Sequence, residues 1–216
     1  DIGNRLFDNF KKNNPERFYN CGVAEANMTG VASGLASCGF KPVTYTITPF
    51  NTARCFEQIR LDICYPNLPI IIVGTGSGLS YASLGATHHS MEDISILKTL
   101  PNLQIICPAD KKEVREAFIK AYESNKPTYI RLGKKGEPLI HKKKPNFQIG
   151  KSIFLKKGND VALLGVGNAL SIAAKCEEEL FKKKIKCDLI SFHTPKPLDK
   201  KLLTNLFKSD KLIAII

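Results

Sequence analysis

Several features are missing from this 216-residue chain, and each absence excludes a class of protein. No run approaches the roughly 20 apolar residues that a membrane-spanning helix requires. The longest, Leu68 to Val73 and Leu212 to Ile216, are broken by turn residues, charges or the chain end, so a membrane protein is excluded. The seven cysteines (21, 38, 55, 64, 107, 176 and 187) are odd in number and contain no C-x-x-C pair. Several sit in apolar segments, where a reduced thiol behaves as a small hydrophobe. That usage suits a reducing compartment, and the expected location is the cytoplasm. The four histidines, 88, 89, 141 and 193, form no H-x-x-x-H pattern, which leaves no metal-ligand spacing.

Charge is abundant but one-sided in its placement. The formal charge is +12, yet residues 1–100 hold eight basic and eight acidic side chains, so the whole excess lies in residues 101–216. Most of it is Lys in pairs and triplets such as Lys134-Lys135, Lys142 to Lys144 and Lys182 to Lys184. No aromatic residues are interleaved to stack bases, so these read as a solvated surface and no nucleic-acid partner is expected.

What is present alternates between strand and helix patterns. Glu25 to Cys38 has helical spacing and ends before Gly39, a C-cap residue. β-branched segments at Pro42 to Ile47, Pro69 to Val73, Leu103 to Cys107 and Thr128 to Arg131 read as strands, with helices at Thr52 to Cys64, Met91 to Leu97 and Lys111 to Ser124. The last is opened by Asp110 as N-cap, with Glu113 at the capping-box position. Gly136 to Phe147 interrupts the rhythm and reads as a linker. A second series follows, with strands at Ser152 to Leu155, Asp160 to Gly165, Lys186 to Phe192 and Leu212 to Ile216, and helices at Ala169 to Lys183 and Lys200 to Lys208. Such alternation predicts parallel sheets covered by helices on both faces. A sheet that starts and stops inside elements exposes unpaired backbone, so a fragment of a longer chain is expected.

Two glycine patterns carry no nucleotide chemistry. Gly165-Val-Gly-Asn-Ala-Leu170 follows a strand, with Asp188 about twenty residues on, but Leu170 replaces the third glycine of a dinucleotide fingerprint. It reads as a tight strand-to-helix turn. Gly74-Thr-Gly-Ser-Gly78 lacks the lysine of a P-loop.

Glu25 lies at a helix N-terminus among small neighbours, in Gly22-Val-Ala-Glu-Ala-Asn-Met28. On local context it is either a first-turn acid favoured by the helix dipole or a desolvated carboxyl that shares a proton with a ligand nitrogen. The segment Arg17 to Met28, together with Thr46 to Arg60 (TITPFNTARCFEQIR), Gly78-Leu-Ser-Tyr81, Gly85-Ala-Thr-His-His89, Glu92-Asp93, Pro108-Ala-Asp110 and Tyr129-Ile-Arg131, resembles the thiamine-diphosphate pyrimidine-binding domain of the transketolase family. The similarity is greatest to the C-terminal subunit of split transketolases. Residues 149–216, with Gly158-Asn-Asp-Val-Ala and Thr194-Pro-Lys-Pro-Leu-Asp199, resemble that family's C-terminal domain.

The resemblance implies an α/β fold of two parallel-sheet domains with helices on both faces. These are a pyrimidine-binding domain at 1–135, a linker at 136–148, and a transketolase C-terminal-like domain at 149–216, with both domains cut at the chain ends. It implies that Glu25 hydrogen-bonds the aminopyrimidine of thiamine diphosphate and, through its tautomer, helps remove the thiazolium C2 proton. Phe50 is implied against the aminopyrimidine face, although Asn51 and Thr52 are close enough in register to compete, while Phe56 reads as core. His88, and not His89, matches the family's substrate-side histidine with a catalytic role, and Arg131 is implied on the substrate side. There is no Gly-Asp-Gly motif, so the diphosphate and Mg²⁺ are expected on an N-terminal partner subunit, with this chain self-associating as a dimer, within a heterotetramer. The family's usual polar residues are replaced by Gly76 and Leu84, which puts an ordinary sugar-phosphate reaction in doubt. The implied activity is transfer of a two-carbon ketol unit from a ketose or 2-oxo donor to an aldehyde. The rival readings are the β subunit of a 2-oxo acid dehydrogenase, which the Gly85-Ala-Thr-His88 loop disfavours, and a non-catalytic scaffold or basic polyanion-binding module.

Overall fold

The computed structural model describes residues 5–216. The first half contains α1 (Asp8–Asn13), α2 (Glu25–Ser37), β1 (Val43–Ile47), α3 (Thr48–Asn51), α4 (Phe56–Gln58), β2 (Ile71–Thr75), α5 (Asp93–Lys98), β3 (Gln104–Ile106), α6 (Lys111–Ser124) and β4 (Thr128–Arg131). The second contains β5 (Ile153–Lys156), β6 (Val161–Gly165), α7 (Leu170–Lys182), β7 (Cys187–Ser191), α8 (Lys200–Phe207) and β8 (Leu212–Ile215).

The first sheet has the order β1-β2-β4-β3 and is parallel throughout. Successive strand residues point to opposite faces, and the run around β2 is apolar at both parities because both faces are covered. Ile70 and Ile72 join Ala32, Ile59, Ile63, Leu97 and Tyr129 in one core, while Ile71 and Val73 join Ala117, Ala121 and Ile130 in the other. The second sheet, β5-β7-β6-β8, is divided in the same way: Leu163 and Leu189 pack toward α7, and Leu164 and Ile190 toward α8.

Two expectations need correction. The second sheet is mixed, because β5 pairs antiparallel to β7. Its alternation of half-buried and exposed residues carries no record of strand direction, which the connections alone decide. The single helix expected from Thr52 to Cys64 is also broken. Thr48–Asn51 forms a short helix, residues 52–55 turn, and α4 runs into a π-helical stretch at Ile59–Cys64, closed by the Tyr65 N–H to the Arg60 carbonyl at 3.0 Å. Asn51 causes the break, since its buried side chain donates 2.9 Å to the Val73 carbonyl and ties α3 across to β2.

The glycine-rich turn after β6 serves packing. A Cβ at Gly165 would stand 2.5 Å from the Leu170 Cα, and Gly167 has φ +60° with the Cys107 Cβ close by. The two sheets are stitched at the open edge of β3. The Ile105 N–H donates 2.8 Å to the Lys196 carbonyl and the Cys107 N–H 2.7 Å to the His193 carbonyl, so a segment of the second half covers backbone groups that would otherwise be an unpaired edge. Residues 136–148 carry no regular element, and His141 and Phe147 are buried. Among the described residues no helix is long and apolar enough to cross a membrane, and all seven cysteines are free thiols.

Candidate active site at the carboxyl ends of the strands

Open parallel sheets bind ligands where their strands end, and the site residues gather at the carboxyl end of the first sheet. Glu25 begins α2, Phe50 follows β1, the loop bearing His88 follows β2, and Arg131 ends β4.

The Glu25 side chain is only 2% exposed, and its Oε2 accepts 2.9 Å from the Arg54 Nη1. The Arg54 guanidinium lies over the Phe50 ring, 4.2 Å from its centroid, and the His88 ring meets Phe50 edge-on at 5.2 Å. Arg54 therefore links Glu25 to Phe50, and Phe50 in turn meets His88. Asn51 and Thr52 are buried, with Thr52 Oγ1 donating to the Thr48 carbonyl, and Phe56 packs against the first core. Phe50 is only partly buried, and its ring lies beneath the exposed Arg54.

The loop after β2 is closed at its base by reciprocal bonds between Gly78 and Ser90, at 2.9 and 3.0 Å. Within it the two histidines separate. His89 Nε2 donates 2.9 Å to the Ala82 carbonyl and braces the loop, whereas His88 contacts the Phe50 and Tyr81 rings and hydrogen-bonds Thr87 Oγ1 through Nδ1 at 2.9 Å. Gly76 has φ +73°, and a Cβ there would fall 1.9 Å from the Tyr81 ring. Tyr81 thus fills the space that a side chain at 76 would need. Burial, with Tyr45 nearby, raises its phenol pKa, and the Lys134 ammonium sits 4.6 Å from its ring centroid. Leu84 is exposed on the same loop.

Arg131 is 15% exposed and its Nε donates 2.7 Å to Oδ2 of the fully buried Asp93, which also accepts from the Tyr129 hydroxyl at 2.7 Å. Burial is the largest single influence and works against the Arg131 charge, but the Asp93 hydrogen bond and charge, with Cys107 and Tyr129, together outweigh it and hold its pKa above the ordinary value. One edge of the guanidinium is committed to structure, and Nη2 points to the Ser90 carbonyl at 3.4 Å beside Gly78. Arg54, Tyr81 and Asp93 were not singled out by sequence reasoning. Arg54 lies four residues beyond Phe50 within the same motif, which was an available signal; nothing local announces that Asp93 and Arg131 pair across 38 positions.

A second polar cluster joins the halves. Asp110 caps α6, its Oδ1 accepting from the Lys112 and Glu113 N–H groups and its Oδ2 from the Ile140 and His141 N–H groups. Glu113 accepts from the Ala109 N–H at 2.8 Å and the Ser191 hydroxyl at 2.6 Å, with His141 Nε2 at 3.3 Å. The reciprocal bond expected of a capping box therefore reaches one residue earlier than the N-cap. His193 stacks on Phe147 with centroids 4.0 Å apart, and burial pushes its pKa down to about 4. Asp188 accepts from the Gly158 N–H and from Lys211, a structural role. Among the described residues no His, Cys, Asp and Glu cluster is placed to hold a metal.

Residues 3–137 match the family described as transketolase, pyrimidine binding domain, and residues 150–216 the transketolase C-terminal domain. The chain is 36% identical over 190 residues to a 6-deoxy-6-sulfo-D-fructose transketolase subunit from Clostridium sp. (strain MSTE9), covering 88% of this chain and 59% of that protein. It is 34% identical over 204 residues to an apulose-4-phosphate transketolase subunit from Actinobacillus succinogenes, covering 94% and 66%. The chain thus spans about three fifths to two thirds of these relatives' lengths. A solved structure described as a split gene transketolase, inactive beta4 tetramer, superposes with a TM-score of 0.89 at 33% identity, over all of this chain and 71% of that one. Transketolase from Campylobacter jejuni shares the fold, with a TM-score of 0.77 at 22% identity over 90% of this chain and 31% of that one.

Proposed function

The chain belongs to the transketolase family, and from that premise we propose that it is the half-site subunit of a thiamine-diphosphate-dependent transferase. The reaction is passage of a two-carbon ketol unit from a ketose or 2-oxo donor to an aldehyde acceptor. The observation carrying this reading is the continuous row of contacts that runs from the buried Glu25 carboxyl through Arg54 to the Phe50 face and on to the His88 imidazole. When bound, thiamine diphosphate supplies a nucleophilic thiazolium carbon.

These residues fit the aminopyrimidine. A flat, nitrogen-bearing group, the Arg54 guanidinium, already rests between the Glu25 carboxyl and the Phe50 ring, so a planar ring with nitrogen donors can make both contacts. In this reading Glu25 holds the ring nitrogen and shares a proton with it, an exchange that a water-poor pocket favours. Phe50 stacks on the heteroaromatic face, worth about 0.5–1.5 kcal/mol beyond area burial. His88 stands on the substrate side, where its imidazole holds or moves a proton at a substrate oxygen. Arg131, anchored by Asp93, presents its other edge to the substrate. Tyr81, whose ring takes the space that a side chain at Gly76 would need, and Lys134 over that ring favour a substrate set that departs from the common sugar phosphates.

The diphosphate and Mg²⁺ belong, on this proposal, to an N-terminal partner subunit. This chain self-associates as a dimer within a heterotetramer, in the cytoplasm, and is divided into domains at 1–135 and 149–216 around the 136–148 linker. Calorimetry tests the arrangement. Thiamine diphosphate with Mg²⁺ should bind weakly or not at all to this chain alone, and at micromolar or tighter affinity to the reconstituted complex. Micromolar binding by the chain alone would overturn the half-site; no binding by the folded complex would overturn the cofactor.

A further inference from the structure

The Arg54 guanidinium makes the two contacts that the proposed function gives to the cofactor ring. Its Nη1 donates 2.9 Å to the Glu25 Oε2, and its Cζ lies 4.2 Å from the Phe50 centroid. Both are contact distances, so nothing fits between the guanidinium and either partner. A planar cation is suited to this position, because it offers a carboxylate an N–H edge and an aromatic ring a flat face.

The rest of the turn is fixed while Arg54 itself is free to leave. The Arg54 N–H donates 3.1 Å to the Pro49 carbonyl, Thr52 Oγ1 donates 2.7 Å to the Thr48 carbonyl, and the Cys55 thiol donates 3.1 Å to the Phe50 carbonyl. The Arg54 side chain is 47% exposed, against 2% for Glu25. Rotation about side-chain bonds is enough to carry the guanidinium into water, and no backbone has to move.

We propose that Arg54 is a displaceable occupant of the aminopyrimidine seat: it neutralises the buried Glu25 and covers Phe50 until the cofactor ring takes both contacts from it. This rests on the reading of Glu25 and Phe50 given above. A half-exposed ion pair and a cation–π contact are each modest, which suits an occupant that must be displaced. The seat is then competent only in the fraction of molecules whose guanidinium has swung away, and apparent cofactor affinity is reduced by that fraction.

The test compares parent, Arg54→Met, Arg54→Gln and Arg54→Lys in the complex with the N-terminal subunit. Calorimetry gives the dissociation constant for thiamine diphosphate with Mg²⁺, stopped-flow fluorescence its association rate, and thermal unfolding the stability of the cofactor-free complex. Arg54→Met and Arg54→Gln should bind about three- to thirty-fold more tightly, mainly through faster association, and should melt lower without cofactor because Glu25 has lost its counter-charge. Arg54→Lys, which keeps the charge without the planar fork, should fall between them and the parent. If the parent binds and both neutral variants bind no more tightly, Arg54 is not a competitor and the inference fails alone. Weaker binding in those variants would make Arg54 a supporting ligand and overturn it equally. A folded parent complex that takes up no thiamine diphosphate would remove the functional reading, and this inference with it.

Discussion

Glu25 and Glu113 are both buried glutamates in the first turn of a helix, yet they are satisfied in opposite ways. Glu113 is enclosed, with the Ala109 N–H, the Ser191 hydroxyl and His141 fixed around it by backbone and by the second sheet. Burial raises its pKa against the pull of those donors. The Glu25 carboxylate is instead held by a half-exposed arginine that reaches it from outside. A carboxyl held by fixed groups on several sides is a structural joint, because any change leaves buried donors unmatched. A carboxyl held by a mobile side chain can exchange that partner for a ligand.

The contrast predicts that the two sites respond to different assays. The largest effect is expected at Glu25. In the reconstituted complex, Glu25→Gln keeps size and hydrogen-bonding but cannot exchange a proton, so hydrogen–deuterium exchange at the cofactor's C2 should slow by about 10² to 10⁴ with the melting temperature little changed. Exchange at the parent rate would return Glu25 to the role of a helix-stabilising first-turn acid.

Glu113→Ala should do the reverse. It strands the Ser191 hydroxyl and the Ala109 N–H and leaves a cavity, for a loss of about 2–4 kcal/mol in denaturant unfolding. Cofactor affinity in folded complex should stay within a few-fold of the parent. A stability loss at Glu25→Gln as large as that at Glu113→Ala would erase the distinction between the two carboxyls.

Acid should attack the same interdomain joint. His193 is kept neutral in the fold by burial, with its pKa lowered from 6.5 to about 4, while the nearby Asp199 and a backbone bond with Lys151 pull weakly the other way. The unfolded chain therefore binds more protons in that window, and stability present above pH 6.5 is lost as pH falls toward 4. The expected loss is on the order of 2–3 kcal/mol. It should show in denaturation midpoints measured across that range and be markedly smaller in His193→Gln. An unchanged pH slope in the variant would assign the acid sensitivity elsewhere, with the Asp110–His141 pair the next group to examine.

The smallest effect concerns the substrate side. Gly76→Ala introduces a Cβ at φ +73° into the Tyr81 ring, and the ring must move from its place beside His88. A stability loss of about 1–2 kcal/mol is expected from strain and repacking. A several-fold rise in KM with unchanged cofactor binding would identify Tyr81 as part of the substrate wall, and an unchanged KM would confine it to packing.

Much of this was legible in the chain itself. The strand at Thr128–Arg131 and the helix at Lys111–Ser124 occur at the expected residues, because β-branched runs, an Asp N-cap and apolar periodicity are local properties encoded residue by residue. Glu25, Phe50 and His88 were candidates because they sit in ordered motifs, and the structure joins Glu25 to Phe50 through Arg54 and Phe50 to His88. The break at Asn51, the antiparallel β5 and the division of labour between His88 and His89 were not. Each depends on a contact that local patterning does not contain: Asn51 with the Val73 carbonyl, Ile153 alongside Ser191, and His89 with the Ala82 carbonyl. Sequence determined which elements form and which side chains they carry toward the carboxyl ends of the strands. Only the tertiary structure decided that Arg54 lies on Phe50, that Tyr81 fills the space at Gly76, and that Asp93 holds Arg131. Those pairings are set by long-range packing, in which a side chain settles against neighbours that the local sequence does not specify.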